Sequence, residues 1–115
     1  MSSLRVNGGK KLSGEITPQG AKNEALQVIC AALLTESDVV ISNIPDIIDV
    51  NKLIDILKNL GVIISEIDKG KFSFNAKKID LNYLNNSSFA EDAKSLRGSI
   101  MLVGPLLSRF GSASI

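Results

Sequence analysis

Apolar and polar positions alternate at the start of the chain, over Leu4–Val6 and Leu12–Ile16, with Gly8-Gly9 between them. That spacing predicts two short strands joined by a turn. Pro18-Gln19-Gly20 interrupts the pattern, and the period then changes. Leu26, Ile29 and Leu33, with Val28 and Ala32, cover a wide face at helical spacing, predicting a buried helix from Lys22 to Leu34. A β-branched run, Asp38 to Ile41, predicts a strand ending at Asn43-Ile44-Pro45. Leu53, Ile56, Leu57 and Leu60 fall at i, i+3, i+4 and i+7, which predicts a second helix over Val50–Leu60. Asp49 suits its N-cap and Gly61 its stop. Val62–Ile64 and Lys71–Phe74 flank Asp68-Lys69-Gly70 as a hairpin. Asn82–Ser88 reads as a polar connection. A third helix is expected from Ala90 to Leu107, kinked near Gly104-Pro105 and ended by Gly111, with a strand starting over Ser112–Ile115.

The predicted order, β-β-α-β-α-β-β-α-β, is an α/β pattern. A faint repeat runs through it. Ala25–Ile41 lies on Ser99–Ile115 without gaps, Leu26 on Ile100, Val28 on Leu102, Ile29 on Val103, Leu33 on Leu107 and Ile41 on Ile115. The apolar pattern agrees while the residues do not, as expected if a βαβ-type unit is begun a second time.

Composition narrows the function classes. The 115 residues suit one modest domain, 44% hydrophobic and 22% charged. Thirteen basic residues against twelve acidic ones, and 4% aromatics, carry no footprint of a nucleic-acid binder. Without His and with one Cys, there is no His-based acid/base pair, no disulfide within the chain and no multi-Cys or Cys/His zinc site. No cofactor or metal is expected. The N-terminus lacks the apolar core of a signal peptide, and no stretch is apolar enough to span a bilayer, so a cytoplasmic location is expected.

Three residues stand out. Lys22 and Asn23 open a helix, where unpaired N–H groups and the positive dipole end favour anions and disfavour cations. Placed after Gly20, which would let a ligand approach the backbone, they suit a phosphate or carboxylate site. Arg97, near the start of the third helix, lies opposite Asn23 in the repeat. All three could face one groove. Read from spacing alone, they are more simply explained as solvated cations and a helix cap. Cys30 sits mid-helix with nothing to activate it and reads as a buried structural thiol. Glu91-Asp92 and Asp46/Asp49 read as caps and first-turn charges rather than an acid/base pair.

Four segments taken together carry a resemblance: LRVNGGKKLSGEITPQGAKNEAL, AALL, VVISNIPDIIDVNKLIDILKNLG and SLRGSIMLVGPLLSRFG. In order and spacing the chain resembles, from Leu4 to Ile115, the UDP-N-acetylglucosamine enolpyruvyl transferases (UDP-N-acetylglucosamine 1-carboxyvinyltransferases). The sister enolpyruvylshikimate-phosphate synthases share the fold but match less well. The resemblance implies an inside-out α/β barrel built from βαβαββ units in two domains. Residues 1–21 would be strands belonging to the other domain, and 22–115 the first unit and the start of the second. It implies transfer of enolpyruvyl from phosphoenolpyruvate to the 3-hydroxyl of UDP-N-acetylglucosamine with loss of phosphate, the first committed step of peptidoglycan synthesis. The family's GAKN residues contact substrate, which places phosphoenolpyruvate at Lys22 and Asn23; its R-x-S-I arginine, which contacts the UDP-sugar, is Arg97. The family's catalytic Cys, in a Pro-Gly-Gly-Cys loop, would lie beyond Ile115, and the second domain's Asp and Arg are missing too. The chain is therefore expected to be an N-terminal piece, inactive alone and prone to self-association through open sheet edges. A non-catalytic UDP-sugar-binding or self-associating module is the alternative.

Overall fold

The computed structural model describes residues 2–113. Residues 22–34 form α1 (Lys22–Ala31) followed by a 3-10 turn (Ala32–Leu34). Next come β1 (Val39–Ile41), α2 (Ile48–Asn59), β2 (Ile63–Asp68) and β3 (Lys71–Asn75). A 3-10 turn over Leu81–Asn85 leads into α3 (Ser87–Ser95), a 3-10 segment (Arg97–Leu102) and α4 (Val103–Phe110).

The sheet among the described residues has the order β1-β3-β2, with both outer strands antiparallel to β3. β1 and β2 are therefore parallel, joined across α2, with β3 inserted between them. The period-2 pattern sets the register: Val39 faces Phe74, Ile41 faces Phe72 and Ile64 faces Phe74, so one sheet face is apolar. A bulge between Glu66 and Asp68 ends the clean alternation at the hairpin tip. Helices cover that face. Ile29, Leu33, Val50, Leu53, Leu57, Leu60, Phe74, Leu96, Leu102 and Leu106 are essentially inaccessible and form one core. Phe72 and Phe74 touch at a tilt, with centroids 6.3 Å apart.

α2 matches its spacing. Gly61, at φ 104°, ends it in the left-handed conformation that other residues adopt only at a cost. Asp49 is not its N-cap. That position is Ile47, which offers no side-chain acceptor, and Asp49 lies inside the first turn. The supposed connection over 82–88 already contains helix, because Asp80 and Asn86 accept hydrogen bonds from Asn82 N–H and Ser88 N–H and start two segments there. Glu91 and Asp92 lie within α3 rather than at its cap; the Asp92 carboxylate accepts from the Tyr83 hydroxyl at 2.9 Å.

The expected long third helix is broken at Leu96, not at Gly104-Pro105. Leu96 is extended (φ −125°, ψ 105°) because burying its side chain turns the chain. Pro105 stands in the first turn of α4, where a missing N–H removes no helical bond. Gly111 ends α4 at φ 77°, as expected.

The N-terminal strands are absent. Residues 2–20 carry no strand among the described residues, and Leu4, Val6, Leu12 and Ile16 are at least 90% exposed. A lone two-stranded hairpin with nothing to bury against is marginal, so the alternating pattern finds no partner. This arm stretches the molecule to 57 × 33 × 20 Å, with a radius of gyration of 17.3 Å against about 13 Å for a compact chain of this length.

Burial does not follow the repeat. Leu26 is buried and its counterpart Ile100 is 60% exposed; Leu33 is buried and Leu107 is 52% exposed. No strand forms at Ser112 or Ala113, and the rest of that expected strand, Ser114 and Ile115, lies outside the described residues. Among the described residues no helix is long and apolar enough to cross a membrane.

Candidate functional site

Lys22, Asn23 and Arg97 come together. They line one cleft of about 250 Å³ with Leu26 and Gln27 of α1, Asp49 of α2, and Gly98, Ile100 and Met101 of the 3-10 segment.

Each wall has a local cause. α1 begins after Ala21, which is extended and carries no capping side chain. The first turn therefore presents N–H groups without a side-chain acceptor, with Lys22 and Asn23 as its first two residues. The opposite wall is set by Leu96 and Ser99. The buried Leu96 anchors one end of the turn, while the Ser99 hydroxyl donates to the Ala93 carbonyl at 3.1 Å. Arg97 lies between these anchors. Gly98 allows the close approach: a Cβ there would stand 2.9 Å from Leu26 Cδ1. A small Cβ there is met only by the flexible end of Leu26, whereas a branched side chain at 98 would push the 3-10 segment, and Arg97 with it, away from α1.

The charge balance favours an anion. Two cations, Lys22 and Arg97, face one carboxylate, Asp49. Lys22 Nζ donates to Asp49 Oδ2 at 3.1 Å, with both side chains part-exposed (49% and 39%). Sequence reasoning missed Asp49, since a carboxylate at a helix start is fully explained as a local charge. Only its pairing with a lysine 27 positions away marks it as part of the site.

Gly20 has a different role from the one its position suggested. A Cβ there would lie 1.9 Å from the Asn43 carbonyl oxygen, so the glycine admits this chain's own backbone rather than a ligand. Asn43 adopts φ 59°, which Asn tolerates better than most residues. Ile44 N–H donates to the Gly70 carbonyl at 2.9 Å and ties this loop to the β2–β3 turn. A larger cleft of about 620 Å³ lies there, between Gln19-Gly20, Asn43–Asp46 and the hairpin. It brings one cation, Lys69, against Asp46 and Glu66, and so lacks the convergence of cations seen at Lys22 and Arg97.

Cys30 is 2% exposed, and burial pushes its thiol up to about 12. It holds its proton and packs as a small apolar group. Arg109 is a structural cation. Its guanidinium donates to the carbonyls of Leu33 (3.0 Å), Ala76 and Lys77 (3.1 Å) and lies 4.9 Å from the centroid of the Phe110 ring.

Known proteins agree with this architecture. The chain is 51% identical over all 115 residues to the UDP-N-acetylglucosamine 1-carboxyvinyltransferases of Bacteroides fragilis and Bacteroides thetaiotaomicron. It is 52% identical over 113 residues to that of Porphyromonas gingivalis. These matches take in 98–100% of this chain, which spans about a quarter (26%) of the length of those relatives. Among solved structures, the enolpyruvyl transferase NikO from Streptomyces tendae superimposes with a TM-score of 0.71 at 28% identity, over 92% of this chain and 24% of that one. The fold is thus the α/β fold of the enolpyruvyl transferases. The family model of EPSP synthase (3-phosphoshikimate 1-carboxyvinyltransferase) matches residues 6–115, and the chain belongs to that family.

Proposed function

We propose that this chain supplies one wall of the substrate site of a UDP-N-acetylglucosamine 1-carboxyvinyltransferase. The observation that carries the reading is the meeting of Lys22, Asn23 and Arg97 in one cleft, although 74 residues separate Asn23 from Arg97. The identity to relatives bearing that name favours it over the shikimate-pathway reaction.

In this reading Lys22, Asn23 and the uncapped start of α1 hold the phosphate of phosphoenolpyruvate, and Arg97 holds the UDP-sugar. The enolpyruvyl group passes to the sugar hydroxyl and phosphate departs. Negative charge gathers on the leaving phosphate, where the Lys22 ammonium and the helix N–H donors stabilise it. Proton transfer needs groups from elsewhere, because Cys30 is buried and protonated. The product would feed peptidoglycan synthesis, which implies a cytoplasmic site of action. The exposed arm, with the strands expected over residues 1–21, would complete a sheet of the other domain, and 22–115 would hold the first unit and the start of the second.

Titrating the isotopically labelled chain with phosphoenolpyruvate and UDP-N-acetylglucosamine tests this. Amide shifts centred on Lys22, Asn23 and Arg97, lost in K22A and R97A, are expected. A well-dispersed spectrum unmoved at millimolar ligand refutes the site in this chain.

A second reading rests on the arm. Four apolar side chains stand exposed at alternating positions, and β1 and β2 leave both edges of the described sheet open. Such a chain would self-associate by strand addition. Sedimentation should then show concentration-dependent dimers that disappear when residues 2–19 are removed.

A further inference from the structure

We propose that Asp49 is the built-in counter-ion of Lys22 in this cleft, which an incoming dianion must displace; the inference rests on the anion-site reading above.

The pair solves a local problem. Lys22 stands in the first turn of α1, where the helix dipole opposes a cation. A carboxylate 3.1 Å away offsets that opposition and holds a four-carbon side chain over the cleft. Asp49 has a second source of stabilisation. It lies in the first turn of α2, whose N-cap Ile47 provides no side-chain acceptor, so the α2 dipole favours the carboxylate with or without Lys22. When an anion takes Lys22, Asp49 keeps the helix end. Releasing the lysine is therefore cheap.

The exposure of both partners points the same way. A part-exposed pair of this kind stabilises by less than a factor of about five. A phosphate dianion meets Lys22, Arg97 and free N–H groups at once, and so prevails. Asp49 still exacts a cost, because its charge remains near the bound anion. At a separation on the order of 6 Å in water, that repulsion weakens dianion binding about three- to tenfold, partly screened by salt. The carboxylate thus tunes the cleft toward weaker, releasable binding.

The test is phosphate affinity of the full chain at pH 7.5 and low salt, read from the amide shifts of Asn23 and Arg97. Asp49→Asn keeps the shape and removes the charge, and should bind inorganic phosphate about three- to tenfold more tightly. Asp49→Glu should stay close to the parent, and the gain in Asp49→Asn should shrink as salt is added. Asp49→Ser gives the same comparison if the asparagine variant does not fold. Unchanged affinity in the neutral variants overturns the counter-ion role, and weaker affinity overturns it in favour of Asp49 as a support that positions Lys22. If neither parent nor variants bind phosphate, the anion-site reading itself fails and this inference falls with it.

Discussion

Removing the Arg109 guanidinium should destabilise the chain far more than a surface arginine would. The side chain is 13% exposed and donates to the carbonyls of Leu33, Ala76 and Lys77. These carbonyls belong to the end of the first helical segment and the stretch just after β3, so one cation from α4 ties together parts of the chain far apart in sequence. Leu33 and Ala76 are each 1% exposed, and their oxygens would be left without a partner in Arg109→Met. A buried acceptor left unpaired costs about 1–3 kcal/mol. Lys77 is exposed and its carbonyl can turn to water, so it adds little. Two buried acceptors, less some gain from the apolar methionine, give an expected loss of about 2–4 kcal/mol, and a fall in melting temperature on the order of 10–20 °C. The ion pair with Glu36 is 3.6 Å long and its carboxylate side chain is 68% exposed, so Glu36→Gln should cost less than about 0.5 kcal/mol. Urea denaturation followed by circular dichroism measures both. The reasoning is wrong if Arg109→Met loses less than about 0.5 kcal/mol, or if Glu36→Gln loses as much as Arg109→Met.

Gly20→Ala places a Cβ 1.9 Å from the Asn43 backbone oxygen, so the 43–45 loop must move; a loss of about 1–3 kcal/mol in denaturation and shifted amides at Asn43 and Ile44 are expected. Gly98→Ala meets only the flexible end of Leu26 and should cost under about 1 kcal/mol, whereas the bulkier Gly98→Val should also weaken ligand-induced shifts at Arg97. Cys30 should resist a thiol-specific disulfide reagent at pH 8 in the folded chain and react at once in denaturant. Its raised pKa also makes stability depend on pH. The unfolded thiol ionises near its ordinary value while the folded one holds its proton to about 12, so the folded state binds more protons between them. The stabilisation is whole below about pH 9 and declines at up to about 1.4 kcal/mol per pH unit above it. Comparing Cys30→Ala with the parent over that range isolates this slope from the other titrating groups.

The helices and the hairpin were legible because their signals are local. α2 repeats its apolar residues at helical spacing and closes on Gly61; the hairpin turns at Lys69-Gly70; α1 begins where Pro18-Gln19-Gly20 breaks the chain. Lys22, Asn23 and Arg97 were legible as candidates for the same reason, as cations and an amide at helix starts. The resemblance sharpened them into a candidate site, and the fold sets them along one cleft.

What the sequence by itself determined was therefore the set of elements with their own periodicity and caps, together with the family. Tertiary structure decided the rest. The break at Leu96 depends on the core that buries that side chain, and helical periodicity runs through it unmarked. Leu4, Val6, Leu12 and Ile16 carry a strand pattern, but a strand exists only with a neighbour to hydrogen-bond, and the described chain offers them none. Gly20 could be read as open to a ligand until the fold brought Asn43 against it. Asp49 could be read as a cap until α1 and α2 packed side by side and put it on Lys22. Caps and periods act over one or two turns of chain; the meeting of residues 23 and 97 in one cleft, and the pairing of 22 with 49, arise only when burial of the shared core packs their elements together.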